Sequence, residues 1–194
     1  MDNNFLEKRY FEKEKILGLK LLNKKFFDQE FIGCEFKSCN FQASIIEGSI
    51  FEDCSFEKCN LSVIEIKNSS FIDCEFKDCK MTGIDWSKVN NPFFVKFEKC
   101  ILNKSVFANL NLKQLEMLFC EAKHASFIKN NLQKADFKGT DFDQSIFSYC
   151  DLREADFREA KNYFINHQDN QLKQAIFSLP EAVSFLKNFE IILK

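Results

Sequence analysis

Residues 31–60, FIGCEFKSCNFQASIIEGSIFEDCSFEKCN, place a large apolar side chain at every fifth position: Phe31, Phe36, Phe41, Ile46, Phe51 and Phe56. The same frame reaches back to Phe26 and on through Leu61, Ile66, Phe71, Phe76, Met81 and Trp86, thirteen consecutive apolar residues of which eight are Phe. With 45% of the chain apolar, chance would produce that run with a probability of about 3 in 100,000. Two residues before nine of these thirteen stands a small one: Cys34, Cys39, Ser44, Ser49, Cys54, Cys59, Ser69, Cys74 and Cys79.

No regular helix or flat strand holds this pattern. Five residues advance an α-helix by about 500°, so its apolar column would drift roughly 140° per unit, and a strand repeats every two residues. A chain that turns a corner at each unit does hold it, with two positions inward and three outward. The cysteines give the length of one turn: Cys34, Cys54 and Cys74 are twenty residues apart, as are Cys39, Cys59 and Cys79. Four units therefore close one coil.

The frame slips by one residue across Ser87–Lys96 and then resumes at Phe97, Leu102, Phe107, Leu112, Met117, Ala122, Phe127, Leu132, Phe137, Phe142, Phe147, Leu152 and Phe157. The small column continues as Cys100, Ser105, Cys120, Ala125, Ala135, Thr140, Ser145, Cys150, Ala155 and Ala160. A one-residue bulge would absorb the slip. The 26 units predict 6.5 turns, a stack roughly 31 Å long at the usual strand spacing of about 4.8 Å.

Units such as CEFKS, CNFQA, CSFEK, CNLSV, CEFKD, ADFKG, TDFDQ, CDLRE and ADFRE match the A(D/N)LXX motif, and over residues 26–162 the chain resembles the pentapeptide-repeat proteins. The resemblance implies an all-β solenoid, a right-handed quadrilateral β-helix with the central Phe or Leu inside and the small residue at the corner. Phe36, Phe56 and Phe76, with Cys34, Cys54, Cys74, Cys39, Cys59 and Cys79 beside them, are its expected structural core.

The whole chain has 194 residues, 29% of them charged, with a net charge of −2. That size suits one domain, and that charge gives no bulk field for gripping nucleic acid or anionic lipid. Lys15 and Lys20 interrupt the most apolar N-terminal stretch, so no signal peptide or spanning helix is expected, and the cytoplasm is the expected location. There the nine cysteines would remain thiols.

Three regions are expected: a charged cap or lead-in over 1–20, the repeat over 21–162 with the slip at 87–96, and a C-terminal segment over 163–194. Arg9 and Glu14 fall in the small column, where an enclosed corner would reject a charge. After Asn162, YFINHQDNQ reads as a loop and LKQAIF as a last strand. Ser178, Pro180 and Glu181 then predict the start of a helix whose stripe is Leu179, Ala182, Val183, Leu186 and Phe189. That stripe exceeds what one rod end needs to bury, so a homodimer through this end is expected. Dimerisation through a C-terminal helix is also what the Qnr-type members of the family imply.

Catalytic chemistry has no foothold. The C-x4-C spacing follows the coil period and does not cluster ligands for zinc, so the cysteines read as small buried hydrophobes. His124 and His167 stand apart with no third partner. No phosphate loop, dinucleotide fingerprint or metalloprotease motif occurs, so neither an enzyme, a cofactor nor a metal is expected. The outward positions around Phe31, Phe51 and Phe71 carry Glu30, Glu52, Asp53 and Asp73, interleaved with Ile32, Ile50 and Ile72. The next face alternates sign as Lys37, Glu57, Lys77 and Glu98, a structural ladder. The Qnr-type and microcin-immunity-type resemblance implies a mimic of duplex DNA that offers carboxylates to DNA gyrase or topoisomerase IV and protects it from quinolone- or microcin-type poisons. The alternative is a scaffold whose isoleucine stripe meets a different partner. Neither requires direct contact with nucleic acid or membrane.

Overall fold

The computed structural model describes residues 2–189. From Tyr10 to Phe177 the backbone winds into a four-sided parallel β-solenoid of about eight turns. Strands of two to four residues pair in parallel with the coil above or below, about twenty residues away along the chain. One column records the stacking: Ile16, Phe36, Phe56, Phe76, Phe97, Met117, Phe137, Phe157 and Phe177 lie in register through nine levels. The stack exceeds the expected 6.5 turns because coils form at both ends where the repeat motif is degraded.

The interior is a pile of rings. Phe36 lies 4.6 Å from Phe56 at an interplanar angle of 2°, and Phe56 lies 4.7 Å from Phe76 at 13°. Phe31, Phe51 and Phe71 form a second pile at 4.8 Å per step, and Phe107, Phe127 and Phe147 a third. Rings from adjacent faces meet edge-on, as Phe31 does Phe36. Such offset and T-shaped contacts add to the area buried.

The small column earns its composition through hydrogen bonds. Cys59 Sγ donates to the carbonyl of Phe36 at 3.4 Å and accepts from the Cys39 N–H at 3.4 Å. Thr140 Oγ1 links Met117 O and Cys120 N–H in the same way. Asn130 donates to Phe107 O and accepts from Leu110 N–H. A corner residue must be small yet able to satisfy backbone groups that stacking leaves unpaired, which a thiol, a hydroxyl or a carboxamide can do. All nine cysteines are free and buried, and burial raises the Cys150 thiol above its ordinary value, opposite to what a nucleophile needs.

The Asp or Asn before a central residue also has a local cause. Asp136, Asp141 and Asn60 accept the N–H two residues onward through their side chains, which fixes the turn. Each corner then requires a left-handed residue. Among the described residues, twenty-five that are not glycine take φ between 49° and 63°, and all five glycines are likewise positive. Gly139, at φ +69°, has the Phe119 ring lying over it: a Cβ there would fall 2.4 Å from Phe119 Cδ1. Gly139→Ala is expected to cost about 1–2 kcal/mol from backbone strain and the displaced ring. A urea midpoint equal to that of the parent would refute this.

The two ends differ from the expected layout. Residues 1–20 are not all lead-in: a helix, Asp2–Glu7, is followed by the strands Tyr10–Glu12 and Lys15–Leu17, whose Phe11 and Ile16 are already core. Arg9 and Glu14 are tolerated because no coil lies beneath this level. Arg9 is exposed and reaches the carbonyl of Phe27, while Glu14 pairs with Lys8. Gln29, 1% exposed at a small-column position, donates its amide to Phe5 O and Lys8 O at 2.8 and 2.7 Å and so fastens the helix over the open end.

The slip occupies the corner after Val89. Buried positions 84, 86, 89, 93, 95 and 97 depart from the alternating two-three rhythm by a step of four and then one of two. Phe93 packs on Trp86 at 5.3 Å, and the register across the slip is 21 rather than 20, as in Phe76↔Phe97, before returning to 20 at Phe97↔Met117.

Beyond Asn162 the coil persists. Phe147 pairs with Ile165 only eighteen residues on, Tyr163 and Ile165 are core, and Phe157 pairs with Phe177. The final helix, Glu181–Phe189, is a 3-10 helix and begins after Leu179, which is 78% exposed. The Ser178 hydroxyl accepts from Glu159 N–H instead of capping it. Winding with three residues per turn divides the expected stripe. Ala182 and Phe185 turn inward, Phe185 meeting Phe177 at 4.7 Å, while Val183 and Leu186 remain exposed. The side chain of Phe189 lies outside the described residues, as do residues 190–194.

Candidate protein-binding surface

The sheet formed by Tyr10–Glu12, Glu30–Ile32, Ile50–Glu52 and Ser70–Ile72 brings the expected carboxylates to one face. Its outward residues form two columns, Tyr10–Glu30–Ile50–Ser70 and Glu12–Ile32–Glu52–Ile72. In the second column carboxylates and isoleucines therefore alternate level by level. Asp53 and Asp73 stand at the adjoining corners at φ 52° and 51°. All four expected acids are exposed; Ile50 is exposed and Ile32 and Ile72 are half-buried.

Two features of this face escape the sequence frame. Glu12 lengthens the acidic strip by one level, and Lys13 stands beneath Gly33 at its lower corner. Above the slip the same face carries Lys113, Lys134, Arg153 and Lys173 around its leucine centres, with Lys134 paired to Glu154 at 3.5 Å and Arg153 to Asp151 at 2.6 Å, so that its balance is basic by two charges. The strip thus ends where the coil is irregular, at a cleft of about 420 Å³ with Asp53, Asp73 and Glu75 on one side, Lys96 and Lys113 on the other, and Phe94 between. In the basic half Asp151 is clamped by Arg153 and Gln133, which hold its carboxyl down to about 2.

The second face is the sign-alternating ladder. Lys37 meets Glu57 at 2.9 Å and Lys77 meets Glu98 at 2.9 Å, and Lys96 bridges Glu75 and Glu116 at 3.7 and 3.3 Å. These exposed pairs neutralise one another, and each is worth about 1 kcal/mol or less. On the fourth face, Val106–Ala108, Ser126–Ile128 and Ile146–Ser148 present only Val106, Ala108, Ser126, Ile128, Ile146 and Ser148 outward, an uncharged sheet extended by exposed Tyr149 and Phe164. Its signal in the sequence is the pair of positions flanking each ring, where the other faces carry charge.

His124 stands exposed at a corner and His167 in the turn after Asn166, well separated along the chain. Among the described residues no group of three or more His, Cys, Asp or Glu is placed to hold a metal ion, and no helix is long and apolar enough to cross a membrane.

Comparison with known proteins bears on the fold. The family model described as a pentapeptide repeat region matches residues 24–91, and that described as pentapeptide repeats matches residues 123–159, together more than half of the chain. No curated protein matches this sequence. Among solved structures, a trypsin-treated variant of QnrB1, a plasmid-mediated fluoroquinolone resistance protein, is similar with a TM-score of 0.63 at 15% identity, over 95% of this chain and 100% of that one. Full-length QnrB1 gives 0.47 at 17% identity over 94% and 100%. HetL, a pentapeptide-repeat protein involved in heterocyst differentiation regulation in Nostoc sp. strain PCC 7120, gives 0.43 at 13% over 87% and 84%. The two family-model matches, with the five-residue frame, the stacked rings and the left-handed corners, show that the chain belongs to the pentapeptide-repeat family.

Proposed function

We propose that this protein acts without catalysis, by presenting its acidic strip to a protein that ordinarily binds duplex DNA, and that this partner is a type II topoisomerase. The observation that carries the reading is the strip itself. Glu12, Glu30, Glu52, Asp53 and Asp73 lie on one rigid face of a narrow rod, with no cation among the outward residues of the strands from Glu30 to Ile72. Fixed carboxylates on such a face offer what a phosphate-binding groove recognises, negative charge in a repeating array. QnrB1 is a fluoroquinolone resistance protein, and resistance to fluoroquinolones is what shielding their target would confer. Supercoiling by DNA gyrase, measured with increasing protein at a poisoning concentration of a fluoroquinolone, tests it. Restored or inhibited supercoiling is the expected result, and no effect across a wide titration overturns it.

The protein in this reading is a dimer joined at its C-terminal end. Val183 and Leu186, exposed on the outer edge of the 3-10 helix, and Leu179 near them supply apolar surface that a two-fold axis would pair with its own copy. Leu186→Glu is expected to halve the mass seen by sedimentation equilibrium. A parent protein that is monomeric across the micromolar range, or a variant that remains dimeric, would sink this arrangement.

A further inference from the structure

Between the last coil and the 3-10 helix lies a crevice of about 450 Å³, lined by Asp143, Tyr163, Phe164, Pro180, Glu181 and Ser184 among others. Its floor holds an anomaly. Tyr163 is 3% exposed, yet its hydroxyl has no hydrogen-bond partner, and the buried hydroxyl of Ser184 has none either. Leaving such groups unpaired costs about 1–3 kcal/mol each, so two beside one crevice leave hydrogen-bonding capacity that a ligand settling there would take up. Burial and the neighbouring Glu181 carboxylate push the Tyr163 phenol up to about 12, and it therefore stays protonated and polar at neutral pH.

The remaining walls define what enters. Asp143 and Glu181 face the crevice, and neither forms an ion pair among the described residues; the nearby Asp141 is already taken by Lys123 and Asn162. No described lining residue is basic, so an anion is repelled. Phe164, half-exposed, with Pro180 and Val183, offers apolar walls and a ring face, which suit a methylene stem and a delocalised cation. Two carboxylates and two hydroxyl acceptors match the planar donor fork of a guanidinium, with five N–H groups, better than an ammonium with three.

We propose that this crevice is a guanidinium site that takes an arginine side chain of a protein partner. It stands independently of the topoisomerase reading and sets carboxylates in a different arrangement: a pair that receives one side chain instead of a strip that imitates a polymer.

The test is a titration of the full-length protein, followed by amide chemical shifts, with N-acetyl-arginine methylamide, n-butylguanidine, n-butylammonium and N-acetyl-glutamate methylamide. Both guanidinium probes are expected to give saturable shifts centred on Tyr163, Phe164 and Ser184, the ammonium to bind about threefold to tenfold more weakly, and the glutamate probe not to bind. Asp143→Asn combined with Glu181→Gln should weaken the arginine probe about tenfold or more. Tyr163→Phe supplies a readout that a structural role would not give. Removing an orphan hydroxyl should raise the melting temperature of the free protein while weakening the arginine probe about threefold. Shifts that fail to saturate, equal binding of the glutamate probe, or a Tyr163→Phe protein that melts lower with unchanged affinity would overturn the site. Binding of butylguanidine with exclusion of the capped arginine would overturn the assignment to a partner's side chain in favour of a small free guanidine.

Discussion

Replacing Phe56 by alanine is expected to lower the unfolding free energy by about 3–5 kcal/mol, a fall in melting temperature of roughly 6–20 °C for a chain of this size. The cause is position. Phe56 is 2% exposed, stacked between Phe36 at 4.6 Å and Phe76 at 4.7 Å, with Phe51 tilted against it at 5.8 Å. The void cannot collapse from above or below, because each neighbouring ring is held by its own coil at the strand spacing. Differential scanning calorimetry against the exposed control Lys25→Ala measures the effect, and a loss no larger than the control's would contradict the ring-pile account. Coils in a solenoid contact only their neighbours, so the transition should also broaden as the two halves of the rod separate in stability.

The second large effect concerns the acidic strip. Combining Glu30→Gln, Glu52→Gln, Asp53→Asn and Asp73→Asn removes four exposed charges and leaves the core intact. Each exposed pairing with a partner's basic groups is worth about 0.2–1 kcal/mol, so together they weaken the complex by roughly 1–4 kcal/mol, about fivefold to several hundredfold in Kd. Protection of gyrase should fall in step, while the melting temperature changes by no more than a few degrees. The parent's affinity should also decline steeply with salt and the variant's hardly at all. A variant that protects as well as the parent would remove the strip from the interface and direct attention to the uncharged sheet around Ile128 and Ile146.

The fold was legible because its rule is local and repeated. A ring every fifth residue and a small residue two before it state which side chains point inward, and the twenty-residue cysteine interval states the coil length. What escaped were places where tertiary context changes the rule. Arg9 and Glu14 look forbidden only if a coil lies beneath them, and at the first level none does. Tyr163 and Ile165 carry the coil onward with an eighteen-residue step, which no fixed frame can follow. The C-terminal stripe was assigned with α-helical spacing, and the tighter winding sends Phe185 inward and Val183 outward. Of the acidic strip, the four acids were visible as outward positions. Their alternation with isoleucine, the added Glu12 and the change of sign above the slip required the register. The crevice under Glu181 could not be read at all, since it depends on how the shortened coil and the terminal helix meet.

The short helix Asp2–Glu7, pinned by the carboxamide of Gln29, bears on how long the molecule can become. Every level of a parallel stack is a template for the next, and an uncovered lowest level would accept the top of another molecule as readily as its own continuation. By spanning that mouth with Phe5 against Phe11 and Phe31, and the far one with Phe185 on Phe177, the chain turns a motif capable of indefinite growth into an object of defined length. That keeps its outer charges available as discrete surfaces rather than lost in a fibre.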